Sequence, residues 1–176
     1  MKLLARVITE LDSAAIPCAL IGAGAMAVHG VSRATFDLDL LTVEKSVLDL
    51  SRWIRLREED VSVDVRRGDS EDPLAGVVRL EAPGDRSVDL IVGRFDWQRS
   101  IVDRAERVRI DDVVLRVVRA ADLILLKLFA GGTQDVWDIE QVLAVGDRKK
   151  LVAEVEKRLE DLPPDSSDLW RRIREG

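Results

Sequence analysis

The spacing of hydrophobic residues changes several times near the start of the chain, and each change indicates a new element. Residues 2–14 carry apolar side chains at helical spacing, and the apolar run 18–21 that follows Pro17 has the length of a strand. Residues 22–24 then predict a tight turn, followed by a short helix of small residues that Gly30 ends. We therefore expect a helix, a strand and a second, short helix.

Residues 36–41 alternate between apolar and acidic side chains, which is typical of a strand. Successive side chains of a strand point to opposite faces of the sheet. Asp37 and Asp39 should therefore lie on one face, and the apolar residues between them on the other. Both carboxylates are predicted to point the same way.

The middle of the chain predicts one helix, from about residue 43 to 56, and then several strands. Three apolar runs separated by turn-rich segments predict an antiparallel meander that is added to the first two strands; they are 61–65, 77–80 and 88–92. Residues 95–106 look helical, and 108–118 look like a hairpin that turns at Asp111-Asp112.

From Ala120 onward the periodicity is helical and is interrupted only at Gly131-Gly132 and Gly146. We therefore predict two parts, a core of residues 1–119 and a C-terminal helical segment of residues 120–176 packed on it. The expected fold class is α+β, with a mixed, mostly antiparallel sheet flanked by helices.

Composition narrows the possible functions. The chain has 176 residues, of which 47% are hydrophobic, so it can build a core. Its net charge of -6 argues against a long basic groove for duplex DNA, and charges interrupt its apolar stretches before the roughly 18–20 residues that a membrane span requires. We expect a cytoplasmic protein that does not bind membranes.

Cysteine and histidine are too scarce for several common kinds of site. The single Cys18 excludes a disulfide within the chain and a cysteine-based zinc site, and it is predicted to be a small buried residue. His29 is also single, which argues against most histidine-dependent catalysis, so we assign it a supporting role.

The stretch "IGAGAMAVHGVSRATFDLDL", residues 21–40, is compatible with two kinds of site. Gly22, Gly24 and Ala27 match the G-x-G-x-x-A turn that binds a dinucleotide pyrophosphate. However, Gly30 cuts the following helix short, and the acidic residues lie inside the next strand instead of at its end. The downstream hairpins also do not fit repeated βαβ units, so the sequence disfavours a dehydrogenase.

The second possibility is a metal site built from Asp37 and Asp39. Two aspartates on one face of a strand can share Mg²⁺ ions, which prefer hard oxygen ligands and substrate phosphates. Asp89, an acid in an otherwise apolar strand, is the best candidate for a third carboxylate, and Asp64 is the runner-up. By spacing alone the two aspartates could equally face solvent, but the small-residue turn 22–24 favours a triphosphate site beside the metals.

Together these residues resemble a known superfamily. "LIGAGAMAVHGVSRATFDLDLL" is similar to the signature of DNA polymerase β-like nucleotidyltransferases, in which a glycine-containing turn precedes Asp-x-Asp in a strand. The later "ADLILLKLFA" and "QDVWDIEQVL" resemble the minimal nucleotidyltransferases grouped with AbiEii-type abortive-infection toxins. The resemblance covers about residues 5–145. Ala23 and Gln134 depart from it, since these positions are usually glycine or serine and a basic residue.

The resemblance implies roles for individual residues. Gly22, Ala23 and Gly24 would bind the triphosphate, while Asp37 and Asp39 would bind Mg²⁺ or Mn²⁺. Asp89 would complete the metal site as the third catalytic carboxylate and polarise the acceptor hydroxyl.

Four further residues are expected to contact the nucleotide or to support the structure of the site. Arg33 could contact a phosphate or brace Asp37, and Thr35 is expected to support the strand. Lys127 is a lysine within an apolar helix, so we expect it to meet an acid or a phosphate at the nucleotide site, with Asp135 beside it.

The expected activity is transfer of NMP from an NTP to a hydroxyl of a protein, RNA or small-molecule acceptor. A toxin–antitoxin component with a cognate antitoxin is compatible with this activity. The alternative is a protein of the same fold that binds a partner with little or no turnover.

Overall fold

The computed structural model describes residues 2–32, 35, 37–110 and 112–175. The helices of this part of the chain lie close to the segments with helical periodicity. They are α1 (Lys2–Ser13), α2 (Gly22–Val28), α3 (Ile54–Glu58), α4 (Asp96–Asp103), α5 (Ala120–Ala130), α6 (Thr133–Val145), α7 (Arg148–Glu156) and α8 (Pro164–Glu175). The first turn of α2 begins at Gly22, three residues before the predicted start.

The strands within the described residues form one mixed sheet of seven. They are β1 (Ala19–Leu20), β2 (Asp37–Thr42), β3 (Ser62–Arg67), β4 (Gly76–Glu81), β5 (Ser87–Val92), β6 (Glu106–Ile110) and β7 (Val113–Val117). Their order is β3-β4-β5-β2-β1-β7-β6. Four neighbouring pairs are antiparallel, and two, β2 with β5 and β1 with β7, are parallel. The predicted α+β class and mostly antiparallel sheet are confirmed.

The predicted helix over residues 43–56 is wrong. Two 3₁₀ turns, Lys45–Leu48 and Leu50–Trp53, precede the short α3. Asp49 interrupts the segment, because it has an extended backbone and its carboxylate accepts a hydrogen bond from the Ser51 N–H at 3.0 Å. This local cap satisfies a backbone donor that a continuous helix would have bonded internally.

Helix α1 buries its apolar face against the sheet and forms ion pairs with the second 3₁₀ turn and with α3. Glu10 is only 7% exposed, and its carboxylate pairs with Arg52 at 2.8 Å and Arg55 at 3.3 Å. Cys18, at the end of the following loop, is buried as predicted, and burial raises the pKa of its thiol to about 12. This thiol is therefore a packing group at neutral pH.

The C-terminal helices pack around α5, which also contacts α2 and is buried on almost every side. The predicted boundary at residue 119 stays a prediction. Gly131, with φ 68°, ends α5 in the left-handed conformation, as its position in the sequence indicates. None of the helices within the described residues is long and apolar enough to cross a membrane.

A buried ion pair links the end of α4 to α5. Asp122 is 2% exposed, and the Arg104 guanidinium donates to both of its oxygens at 2.6 to 3.0 Å. A bidentate pair of this kind satisfies most of the hydrogen-bonding capacity of a buried carboxylate.

We expect Arg104→Met to lower the free energy of unfolding by about 3 kcal/mol, because it leaves the Asp122 carboxylate buried without its counter-charge. Arg171→Met is the matched control, since the Arg171–Asp168 pair is exposed on both sides and should contribute less than about 1 kcal/mol. Urea denaturation of both variants measures the difference. Equal losses would show that the buried pair does not stabilise the α4–α5 join.

Candidate functional site

The candidate site is built on the parallel pairing of β2 with β5. The register places Asp39 beside Asp89 and Asp37 beside Ser87. The residues between them, such as Leu38 and Leu90, are buried on the opposite face of the sheet. The alternation predicted from the sequence therefore brings all three aspartates to one half-buried face.

The predicted phosphate-binding turn lies directly against this face. Gly22 has φ +58°, and a Cβ added there would overlap the Asp39 carboxylate. The Ile21 N–H donates to the Asp39 carbonyl at 2.9 Å, which holds the two segments side by side. The structure thus joins the first turn of α2 to the Asp-x-Asp strand, and a side chain at position 22 would have to displace the Asp39 carboxylate and adopt a strained backbone.

Arg79 is a site residue that the sequence analysis missed. It lies on β4, paired in register with Asp89. Its guanidinium contacts Asp89 at 3.0 Å, Asp37 at 3.3 Å and Glu81 at 2.9 Å. Ser87 also donates its hydroxyl to Asp37, on the Oδ1 atom that Arg79 approaches. Two of the three predicted catalytic carboxylates are therefore joined through one cationic side chain.

The three aspartates do not have equivalent surroundings. Burial raises the pKa of Asp89, the neighbouring Arg79 opposes this rise, and the negative charge of Asp37 adds to it. The Asp89 side chain is 18% exposed, whereas that of Asp37 is 40% exposed. A carboxyl group with a raised pKa accepts a proton more readily than an ordinary aspartate.

Asp64, the runner-up for the third carboxylate, lies on the same face but farther out. It lies on β3, paired in register with Arg79 on β4, and is therefore two strands away from Asp89 on β5. Its side chain is 57% exposed and forms an ion pair with Arg66 at 3.0 Å. The geometry favours Asp89 over Asp64 as the partner of the Asp-x-Asp strand.

Lys127 and Asp135 lie in a buried ion-pair cluster between α5 and α6. The Lys127 ammonium donates to Asp135 at 3.1 Å and to Asp138, which is fully buried. Gln134, in place of the basic residue of the resemblance, donates to Asp138 at 3.3 Å. These contacts explain how an apolar helix accommodates a lysine, and the nucleotide-binding role of Lys127 and Asp135 stays a prediction.

Two supporting residues lie near the site, and one candidate is outside the described part. The Thr35 hydroxyl donates to the Asp37 carbonyl at 3.0 Å, which braces the start of β2. The His29 Nε2 lies 2.8 Å from the Val118 carbonyl oxygen, linking the end of α2 to the segment before α5. Arg33 lies outside the described residues, and its role stays a prediction.

The donor set is chemically suited to a divalent cation, although its carboxylates do not form a closed cage. Asp37, Asp39 and Asp89 supply the hard oxygen ligands that Mg²⁺ and Mn²⁺ prefer. Among the described residues, no group of three or more Asp, Glu, His or Cys side chains is arranged to hold a metal ion. Arg79 instead places a positive charge between two of the acids, so this face already holds a cation.

Comparison with known families gives the family of the chain. The family model described as "Nucleotidyl transferase of unknown function (DUF2204)" matches residues 1–175. The chain belongs to this family. It is therefore a nucleotidyltransferase, as the resemblance in its sequence implied. No curated protein matches the chain.

Solved structures with a similar fold span nearly the whole chain. The antibiotic-resistance factor ANT(2'')-Ia is 12% identical, with a TM-score of 0.56 over 99% of this chain and 97% of that one. An antigenic nucleotidyltransferase-like protein from Paracoccidioides brasiliensis is 19% identical, with a TM-score of 0.53 over 96% and 90%. The lincosamide antibiotic adenylyltransferase LnuA, solved with lincomycin bound, is 9% identical, with a TM-score of 0.50 over 82% and 97%. At these identities the likeness establishes a shared fold.

We expect Gly22→Ala to destabilise this nucleotidyltransferase more than Gly30→Ala does. Both glycines have positive φ, but nothing lies within 4 Å of a Cβ added at Gly30, whereas one at Gly22 meets Asp39. Gly30→Ala should cost about 1 kcal/mol from backbone strain alone, and Gly22→Ala should exceed it. Thermal unfolding of both variants measures the difference. Equal costs would mean that the Asp39 contact does not constrain position 22.

We expect Asp89 to titrate above an ordinary aspartate and above Asp49, whose pKa is lowered by hydrogen bonds from Ser51. A raised pKa in the folded state contributes stability at pH below the ordinary aspartate value, and this stability is lost as pH rises through the Asp89 pKa. Carboxyl ¹³C NMR measures both titrations. Arg79→Gln should raise the Asp89 pKa further, since it removes a neighbouring positive charge. Titration of Asp89 at or below Asp49 would contradict this assignment.

Proposed function

We propose that this enzyme transfers NMP from an NTP to an acceptor hydroxyl and releases pyrophosphate, using Mg²⁺ or Mn²⁺. One observation carries the proposal: paired parallel strands bring Asp37, Asp39 and Asp89 to one face, against the glycine turn at Gly22. Carboxylates grouped in this way suit metal-assisted phosphoryl chemistry, in which positioning and charge neutralisation supply most of the catalysis.

The aspartates and the first turn of α2 have different roles in the proposed reaction. Asp37 and Asp39 would hold the metal, with Asp89 as the third carboxylate, and the first turn of α2 (Gly22, Ala23 and Gly24) offers backbone N–H groups to the triphosphate. A bound divalent cation would neutralise charge on the phosphate oxygens. Asp89 accepts the proton of the acceptor hydroxyl as that oxygen bonds to the α-phosphorus and the bond to pyrophosphate breaks.

A small-molecule acceptor fits the surface beside the aspartates. An open depression of about 690 Å³ adjoins Asp37, with a volume in the range of small-molecule sites. Its lining is mainly polar and charged, and comprises Asp37, Arg79, Glu81, Ala82, Gly84, Asp85, Arg86 and Ser87. The similar fold of ANT(2'')-Ia, solved with adenylyl-2''-tobramycin, and that of LnuA, solved with lincomycin, support the same acceptor class.

Other sequence-based assignments have less structural support. If Lys127 contacts the nucleotide, its ion pairs with Asp135 and Asp138 must open first, because the ammonium already donates to both. The antitoxin partner, the toxin role and the cytoplasmic location stay predictions.

We expect Asp37→Asn and Asp39→Asn each to weaken metal-dependent NTP binding by roughly 100-fold or more, because each removes a direct metal ligand. Asp64→Asn is the matched control, an aspartate on the same sheet face that pairs with Arg66. It should leave binding unchanged. Calorimetric titration with ATP, CTP, GTP and UTP, with and without Mn²⁺, measures these effects. Asp89→Asn should retain more nucleotide binding than transfer activity.

Incubation of the enzyme and an α-labelled NTP with a cell extract then identifies the acceptor. A labelled small molecule other than the nucleotide itself would support a small-molecule acceptor. Label on protein or RNA would contradict that part of the proposal. Nucleotide binding without metal, or unchanged binding in Asp37→Asn and Asp39→Asn, would contradict the proposed activity. Metal-dependent binding without any labelled product would favour a partner-binding role instead.

A further inference from the structure

The Arg79 guanidinium lies where the proposed reaction needs positive charge. Its Nη1 contacts Asp89 at 3.0 Å, and its Nη2 contacts Asp37 at 3.3 Å. The same Nη2 lies 3.3 Å from the Ser87 hydroxyl. The planar fork of an arginine can bridge two carboxylates in this way, and it remains charged at every physiological pH.

Repulsion among the three carboxylates explains why Arg79 contacts both Asp37 and Asp89. Asp39 and Asp89 are direct neighbours across the β2–β5 pair, and Asp37 is two residues away on the same face. Three carboxylates at such spacing repel one another, and this repulsion costs more where the groups are partly buried. A cation must therefore offset their charge when no metal is bound, and Arg79 supplies one from the neighbouring strand.

We propose that Arg79 is a built-in counter-cation of Asp37 and Asp89 in the metal-free site and that a divalent cation binding these two carboxylates displaces its guanidinium. This inference rests on the proposed metal-dependent function. The guanidinium uses the same carboxylate oxygens that would bind the metal, and two cations cannot share them without strong repulsion. Metal affinity is then set by competition with a side chain of the protein itself.

Glu81 is an alternative ion-pair partner towards which the Arg79 guanidinium can move. It lies two residues along β4 on the same face, and its carboxylate already accepts a hydrogen bond from the Arg79 Nε at 2.9 Å. The Glu81 side chain is 54% exposed, so it marks the solvent side of the cluster. A rotation of the Arg79 side chain can release Asp37 and Asp89 while keeping this ion pair, without any change in the strand.

Binding of Mn²⁺ alone, measured by electron paramagnetic resonance, tests the competition. Arg79→Gln should bind Mn²⁺ roughly 3- to 10-fold more tightly than the wild type, because the competing cation is gone. Arg79→Lys keeps the charge but loses the planar guanidinium fork that contacts Asp37 and Asp89 at the same time, so it should also bind more tightly than the wild type, by a smaller factor. Arg86→Gln removes one charge from the same depression and should change the affinity by less than about 2-fold.

A double-mutant cycle tests the role of Glu81. Glu81→Gln in the wild-type background should weaken Mn²⁺ binding, because Arg79 loses its alternative partner and holds the aspartates more firmly. In the Arg79→Gln background the same substitution should have little effect. An equal loss of Mn²⁺ affinity in both backgrounds would show that Glu81 acts only through its charge. It would overturn the assignment of Glu81 as the alternative partner of Arg79.

Thermal unfolding supplies a second readout. Without metal, Arg79→Gln should melt below the wild type, because the carboxylates lose their counter-charge, and Mn²⁺ should raise its melting temperature by more than that of the wild type. Unchanged or weaker Mn²⁺ binding in Arg79→Gln would overturn the inference. The proposed function would survive that result if Asp37→Asn still abolished binding. Absence of Mn²⁺ binding in the wild type and every variant would overturn both.

Discussion

The parallel pairing of β2 with β5 is the constraint on which the site depends. It is made between strands far apart in the chain, and it sets Asp39 beside Asp89 and Asp37 beside Ser87. A shift of one residue in this register would turn the Asp89 carboxylate away from the site and into the apolar side of the sheet. β2 is also the central strand of the seven within the described residues, so hydrogen-bonded neighbours hold it on both sides.

Much of the fold could be predicted because local patterns and tertiary packing agree. Alternation in β2 and the turns between β3, β4 and β5 are properties of short segments, and each segment became the expected element. The helix expected over 43–56 failed because the cap at Asp49 is a side-chain contact that hydrophobic spacing does not record. The β2–β5 pairing could not be predicted either, because no turn connects the two strands directly.

The residues of the candidate site also differ in whether the sequence alone could predict them. Asp37, Asp39 and Asp89 could be singled out because a charged residue in an apolar strand is conspicuous. Arg79 could not, since a single arginine in an alternating strand looks like any solvated position. Only the register shows that its neighbour is Asp89, and only the side-chain geometry shows that it reaches Asp37. The overall charge of -6 gave no hint of a cation at the centre of the acidic face.

The close approach of Gly22 to Asp39 has a consequence for how such sequences are searched. In the sequence, the glycines at positions 22 and 24 and the Asp-x-Asp strand look like two separate signals that each add independent support. Here they are the two sides of one contact, since the missing side chain at Gly22 is the space that the Asp39 carboxylate occupies. A pattern search that multiplies their probabilities therefore counts a single spatial requirement twice.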